Sequence, residues 1–209
     1  MKNDKCKICR RLGAKLFLKG ERCLSSKCSF IRKPYSPGQK GKRRTRGGSE
    51  YGKELKEKEK LKNWYNLRER QFEKYVNEVL ERRGKVEDAA ALLIQKLESR
   101  LDNVVFRMGF VSSRSRAKQS VGHGHFLVNN KKIDIPSYSV RKGDVIALSK
   151  RAQKKAAYQN LSAILKKYTP PFWIQIDSGK LEGKIIKDPS LEEITPPAEI
   201  SSIFEFYSR

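Results

Sequence analysis

The sequence predicts an α+β protein assembled from consecutive parts. These are a four-cysteine segment (residues 1–31), a basic arm (32–52), a helical domain (53–98), an inserted small module of helices plus twisted antiparallel strands (99–150), and a C-terminal helix, short strands and tail (151–209) packing on the helical domain. Three observations predict this. All four cysteines fall within residues 6–28. Apolar residues recur at spacings of three and four through residues 53–110, and a helical pattern followed by alternating strands and turn residues occupies 112–148.

The cysteines are Cys6, Cys9, Cys23 and Cys28: a C-x2-C pair, thirteen residues, then a C-x4-C pair. Two thiolate pairs on short turns, joined by a loop, make a tetrahedral site for a single structural Zn2+. Neighbouring Lys and Arg favour thiolate over thiol. A catalytic zinc keeps an open position, which four cysteines do not leave; an iron–sulfur cluster stays open as an alternative. The segment is short, charged and poor in apolar residues, so residues 1–30 are expected to order only around a metal.

Residues 32–52 hold two Pro, five Gly and seven Lys or Arg, which argues against regular structure and for an arm that orders against phosphates. From Lys53 to Gly84 the stripe Leu55, Leu61, Tyr65, Phe72, Val76, Val79 and Leu80 is helical, with a break near Asn66 and Gly84 as a C-cap. Helix continues through 86–110, where Leu101, Val104, Val105 and Met108 form a core stripe and Met108 fills a gap.

Ser112 or Ser113 caps the next helix, Ala117 and Val121 turn inward, and Gly124 ends it in the left-handed conformation. Then come a strand, a tight Asn129-Asn130 turn, a strand, and a third strand after Lys142-Gly143-Asp144. Residues 152–167 read as one helix, 170–187 as two short strands around a glycine-marked turn, and "SIFEFYSR" as a segment able to dock.

The chain carries 47 Lys and Arg against 23 Asp and Glu, a formal charge of +24. The excess is uneven: residues 1–50 hold 16 against 3, and residues 180–209 hold 4 against 6. Such a surface attracts a polyanion over most of its extent. No apolar run approaches the length of a bilayer crossing, and the N-terminus lacks the apolar centre of a secretory signal, so a cytoplasmic, reducing location is expected.

His123 and His125 are the two histidines. A catalytic pair needs a nucleophile or carboxylate around a pocket, and none stands nearby in sequence. The residues favour packing at a glycine turn with contact to phosphate or a ribose hydroxyl. No catalytic residue is assigned, and no phosphate-binding loop of nucleotide enzymes appears.

"LESRLDNVVFRMGF" (97–110) followed by "AKQSVGHGHFLVNNKKIDIPSYSVRKGD" (117–144) closely resembles the RNA-binding module of the bacterial small-subunit ribosomal protein S-four family. "PGQKG" (37–41), "ERQF" (69–72) and "EFYSR" (205–209) match the same family in order. The resemblance implies a structural constituent of the small (30S) ribosomal subunit. Such a protein binds 16S rRNA, nucleates the 5′ domain, neighbours ribosomal protein S-five and lies near entering mRNA, with influence on translational accuracy. It also implies the zinc-bearing form of the family. Candidate RNA contacts are then Lys40, Lys42, Arg43, Arg44 and Arg46 on the arm, and Arg70, Arg100 and Arg107 on the helices. Arg114, Arg116, Lys118 and Gln119 join them from the capped helix, and His123, His125, Asn129, Lys131 and Lys132 from the hairpin. Two alternatives remain at this point: an RNA-modifying or tRNA-charging enzyme carrying the same module, and a free zinc-dependent RNA-binding regulator.

Overall fold

The computed structural model describes residues 4–38, 48–82, 88–191 and 193–208. The arm residues Lys40, Lys42, Arg43, Arg44 and Arg46 lie outside them, as does Gly84. The chain forms two compact units, residues 1–93 with 195–209 and residues 94–194. Among the described residues no helix is long and apolar enough to cross a membrane.

In the first unit come three short helices, α1 (Asp4–Leu12) with Cys6 and Cys9, α2 (Glu21–Leu24) with Cys23, and α3 (Ser29–Arg32), which Cys28 precedes as N-cap. Two longer helices follow, α4 (Glu50–Trp64) and α5 (Glu69–Leu80). The Ser49 hydroxyl caps α4 by accepting from the Gly52 N–H at 3.2 Å. Asn66, in the left-handed region at φ 55°, makes the corner between α4 and α5 where the sequence placed a break. Leu61, Tyr65, Phe72, Val76 and Val79 of the expected stripe are buried. α5 ends at Leu80.

A further helix of this unit comes from the far end of the chain. Residues 200–208, expected as a tail, form a helix (α11, Ile200–Ser208) that packs on α4 and α5 and buries Ile203 and Phe204. Glu69 ties the three helices together. Its carboxylate accepts from Lys58 Nζ and Lys62 Nζ, each at 2.7 Å, and from the Tyr207 hydroxyl at 2.9 Å. The Lys58 ammonium also lies 4.5 Å from the centre of the Phe206 ring, so its charge meets a π face as well as a carboxylate.

The second unit opens with the end of α6 (Ala89–Glu98) and continues through α7 (Leu101–Arg107), α8 (Arg114–Gly122), β1 (Phe126–Val128), β2 (Lys131–Lys132) and β3 (Val145–Leu148). Ser99 and Arg100 break the helix expected over 86–110. Their backbone pairs with a loop instead: the Leu101 N–H donates to Tyr138 O and the Val140 N–H to Ser99 O, both at 2.8 Å.

Residues 152–167 are not one helix. They form α9 (Lys150–Gln153), a 3-10 turn (Ala156–Tyr158) and α10 (Leu161–Lys167). The buried residues Ala152, Tyr158, Leu161 and Leu165 explain the interruption. The six-residue step from Ala152 to Tyr158 does not return to the same face of a continuous helix, so the chain breaks to bury both.

β4 (Ile174–Asp177) and β5 (Glu182–Ile185) form the expected pair, but in the same sheet as the module strands. The order is β2-β1-β3-β5-β4, all antiparallel, with Ile146 of β3 opposite Gly183 of β5. Residues 151–194 therefore belong to the same unit as the module, while residues 195–209 belong with the helical one. Gly183 is required in β5. A Cβ at that position would come within 2.8 Å of the Met108 sulfur, so the glycine makes room for the fully buried methionine. The core beneath the sheet runs from Leu101 to Ile185 and includes Phe126, Trp173 and Ile174.

Burial alone would raise the Glu69 carboxyl, but the hydrogen bonds from Lys58, Lys62 and Tyr207 outweigh it and hold its pKa at about 2, against the usual 4.5. A folded value below the unfolded one stabilises fully above about pH 4.5, and the stabilisation fades as pH falls towards 2. The side chain is 43% exposed, so screening leaves about 1–2 kcal/mol. Glu69→Gln should lower the stability of the helical unit by that amount at neutral pH. It should also flatten the acid limb of the melting-temperature profile between about pH 4.5 and 2, read by circular dichroism. A variant that melts like wild type across that range would refute the clamp.

Candidate nucleic-acid interface

The interface begins at a carboxylate with no exposure. Glu98, at the end of α6, is 0% exposed. Arg107 forks onto it, Nε to Oε2 at 2.9 Å and Nη2 to Oε1 at 2.7 Å, and Asn103 Nδ2 donates to Oε2 at 2.5 Å. Arg114 completes the group. Its Nε donates to Asn103 Oδ1 at 2.8 Å, its Nη2 stands 3.9 Å from Glu98, and its guanidinium lies 4.6 Å from the centre of the Phe106 ring. A planar guanidinium suits such sites, because its fork matches a carboxylate while its face stacks on an aromatic. The start of α8 is thereby tied to α6 and α7.

This network changes the standing of three expected contacts. Arg107 and Arg114 face inward onto Glu98, with side chains 21% and 9% exposed. Arg100 is 2% exposed and forks onto Asp102, Nε to Oδ1 at 3.1 Å and Nη2 to Oδ2 at 2.7 Å. Spacing along a helix shows which face a cation takes, not whether an acid waits there.

α8 starts at the Ser113 cap, whose hydroxyl accepts from the Arg116 N–H at 3.3 Å, and turns Ala117 and Val121 fully inward. Arg116 and Gln119 are exposed and Lys118 is half-buried. The helix gives way at Gly124, in the left-handed region at φ 65°. A Cβ there would lie 2.1 Å from Cε of Lys132, so glycine lets the lysine stem cross the turn. Asn129 and Asn130, at φ 49° and 64°, make the two-residue turn that matches the twist of a hairpin. The Asn129 side chain is held within the fold: its Nδ2 donates to Asp144 Oδ1 at 2.8 Å and its Oδ1 accepts from the Val145 N–H at 3.0 Å. Lys131 and Lys132 are exposed on β2, at the edge of the sheet.

His123, His125 and Lys132 line one hollow of about 390 Å3. Arg151 and Lys155 line it too, from α9 and the residues after it, and no Asp or Glu is among its lining residues. Those two cations were legible only as a basic pair four residues apart; their approach to the hairpin depends on the break before Tyr158. Lys155 Nζ stands 2.6 Å from His125 Nε2, and Tyr158 Oη stands 3.0 Å from His125 Nδ1. An ammonium can only donate, so Nε2 accepts and Nδ1 carries the proton toward the tyrosine oxygen. Burial, Lys155 and His123 all push His125 down from the usual imidazole value. The ring is thus a neutral link that orients Lys155, while the ammonium carries the charge. Nothing in the hollow is arranged as a nucleophile with its base. Arg70 is exposed on α5, in the first unit.

The four cysteines are free thiols; Cys9, Cys23 and Cys28 are buried and Cys6 is half-buried. All four line one cavity of about 10 Å3, near the smallest space that holds one small occupant. The Lys19 N–H donates to Cys23 Sγ at 3.3 Å. Burial pushes the Cys9 and Cys23 thiols up, with a further rise from the neighbouring cysteines, while the Leu16 and Lys19 backbone N–H groups pull the other way. Among the described residues no group of three or more His, Cys, Asp or Glu stands assembled to hold a metal ion. The sulfurs thus share one neighbourhood without being drawn onto a common centre. Four reduced sulfurs with a backbone N–H on one of them suit a soft divalent cation.

The sequence pattern described as "Ribosomal protein S4/S9 N-terminal domain" matches residues 1–98, and that of the "S4 domain" matches residues 99–146. The protein named small ribosomal subunit protein uS4 from Thermotoga maritima is 46% identical over 205 residues, covering 98% of this chain and 96% of its own length. Its namesake from Thermus thermophilus is 43% identical over 205 residues with the same coverage. That from Halothermothrix orenii is 43% identical over 208 residues, covering 100% of this chain and 98% of its own.

The chain belongs to the ribosomal protein S4 family.

In this S4-family chain the S4 pattern begins one residue after Glu98, so the buried carboxylate stands at the entrance to the module. Removing one partner of a buried ion pair leaves the other uncompensated, which costs about 3–5 kcal/mol. Glu98→Ala should destabilise residues 94–194 by that amount, read in a Trp64→Phe background as a lowered urea midpoint of the fluorescence of Trp173. A midpoint within experimental error of wild type would show that the arginines find other partners.

Proposed function

We propose that this chain is a non-enzymatic, structural, rRNA-binding constituent of the small ribosomal subunit, working in the cytoplasm as part of the 30S particle. The observation that carries the reading is the near end-to-end likeness to proteins of that name. The hollow beside the hairpin supports it physically, since cations converge there with no acid in the lining. Lys132, Arg151 and Lys155 meet phosphates, with Arg116, Gln119 and His123 beside them. Lys118, Lys131 and the arm residues Lys40, Lys42, Arg43, Arg44 and Arg46 extend the contact, and Arg70 adds to it from the helical domain. Arg100, Arg107, Arg114 and Asn129 hold the frame that presents these groups. Recognition is of folded RNA by shape and phosphate position rather than by base sequence.

The finer reading follows the family. The chain binds the 5′ domain of 16S rRNA early, neighbours ribosomal protein S-five, and lies near entering mRNA with an influence on accuracy. Lowering phosphate repulsion where RNA helices meet is the physical contribution a cationic scaffold makes to assembly.

The test is binding of the full chain to the 5′ domain of 16S rRNA as a function of salt. With about six to ten phosphates neutralised, log affinity should fall with log salt at a slope of several units. Lys132→Ala with Arg151→Ala should make that slope shallower by about one to two. A complex indifferent to salt, or a chain that sediments away from the 30S particle, would overturn the reading.

Cys6, Cys9, Cys23 and Cys28 hold one Zn2+, whose role is to fasten a segment too poor in apolar residues to fold alone. Metal analysis of the reduced protein should find about one zinc per chain, and Cys9→Ser should release it. Residues 1–30 should then loosen in amide exchange, while residues 94–194 keep their protection. Iron with labile sulfide in place of zinc, or no metal at all, would refute this.

A further inference from the structure

The hollow beside the hairpin has in its wall a group that can change charge near neutral pH and is tied at both ring nitrogens. His125 is half-buried. Its Nε2 accepts from Lys155 Nζ at 2.6 Å, and its Nδ1–H donates to Tyr158 Oη at 3.0 Å. Tyr158 is buried, and the Ser120 side chain of α8 hydrogen-bonds it. The charged and titratable groups that face this ring and its tyrosine are cations and a second imidazole. The His123 ring, from the end of α8, has its centre 5.8 Å away at a tilt of 26°, and Arg116 of the same helix acts on Tyr158. Lys132 comes from β2, Arg151 from α9 and Lys155 from just after it. No Asp or Glu lines the hollow.

The two ties respond differently when the ring gains a proton. Tyr158 Oη accepts from Nδ1–H in the neutral and the charged ring alike, so the imidazole keeps its place in both states. The bond to Lys155 exists only in the neutral one. A proton from solvent on Nε2 removes the acceptor and sets two cations face to face, so Lys155 turns away. In the free chain the cationic lining opposes that proton. An RNA phosphate seated among Lys132, Arg151 and Lys155 reverses the local field. It gives Lys155 an acceptor of its own, releases Nε2 and favours a charged ring. We propose that His125 takes up a proton when RNA phosphate enters the hollow, changing from the neutral tether of Lys155 into a charged contact. The proposal rests on the reading of the chain as an rRNA-binding protein, and it adds that the grip at the hairpin is proton-linked. A group that holds its proton more tightly in a complex makes that complex tighter as pH falls through its range. RNA affinity therefore rises as pH falls below neutrality.

The experiment measures the affinity of the full chain for the 5′ domain of 16S rRNA at about pH 8 and about pH 6, at one salt concentration. A charged ring that favours the complex about tenfold gives wild type about threefold tighter binding at the lower value. His125→Gln keeps an acceptor for Lys155 and a donor for Tyr158 but cannot titrate, so its affinity should be level between the two. His123→Gln should weaken binding at both values and retain most of the rise. Level affinity in wild type would overturn the proposal, as would a rise that survives in His125→Gln or vanishes with His123→Gln. Should His125→Gln fail to fold, the ring resonances of wild type carry the test, since the chain has two histidines. The His125 signal should titrate at a pH about one higher in the RNA complex than in the free chain, and an unmoved midpoint would overturn the proposal. A wild type that binds the RNA at neither pH would be a different failure, refuting the functional reading and this proposal with it.

Discussion

The cationic surface of the second unit depends on a carboxylate that never meets water, that of Glu98. A chain with twice as many cations as acids cannot neutralise its surface, so the position of each acid matters more than the number. Glu98 and Asp102 are buried beside arginines, and Glu69 stands between two lysines and a tyrosine. Each draws cations onto the framework and leaves others facing outward. Buried ion pairs are weak sources of net stability, because desolvating the charges cancels much of their attraction. Their value here is geometric. The Arg107 fork, the Asn103 bridge and the Arg114 stack have few alternative partners of the right shape, and together they set where α8 begins. The cations that α8 and the hairpin present follow from that starting point.

Local chemistry was the most legible part of the fold. A left-handed Asn66 splits two helices, Ser113 caps a third, and Asn129-Asn130 closes a hairpin, because each of these depends on a few adjacent residues. Pairings between distant segments were not legible. That β5 lies against β3 rests on Gly183 making room for Met108, a contact between positions seventy-five apart with no periodicity to announce it. The three-piece path of 150–167 rests on the demand to bury Tyr158 as well as Ala152. The same limit governs the site. Cations could be counted and placed on helix faces, yet Arg100, Arg107 and Arg114 face acids that the sequence places two, nine and sixteen residues away. Arg151 and Lys155 reach the hairpin because the chain breaks beside them.

The histidines show how a residue associated with chemistry serves architecture. His125 is tied at both ring nitrogens, to Tyr158 in the core and to Lys155 at the rim. With its basicity reduced by burial and by its cationic neighbour, it transmits orientation from the interior to a charge at the surface and, in the free chain, stays neutral itself. His123, exposed alongside it, lines the same hollow and stands where a ligand would pass.

The return of α11 to α4 and α5 imposes an order on biosynthesis. A polypeptide emerging from its N-terminus makes the whole of 94–194 before it makes the helix that packs on α4 and α5. The strand-bearing unit can therefore mature first, while the earlier-made helices wait, half-covered, for residues 200–208. Nascent chains stalled or clipped short of Ile200 would carry an intact grip for RNA on a body whose apolar seam is still open, the kind of species that chaperones and proteases meet.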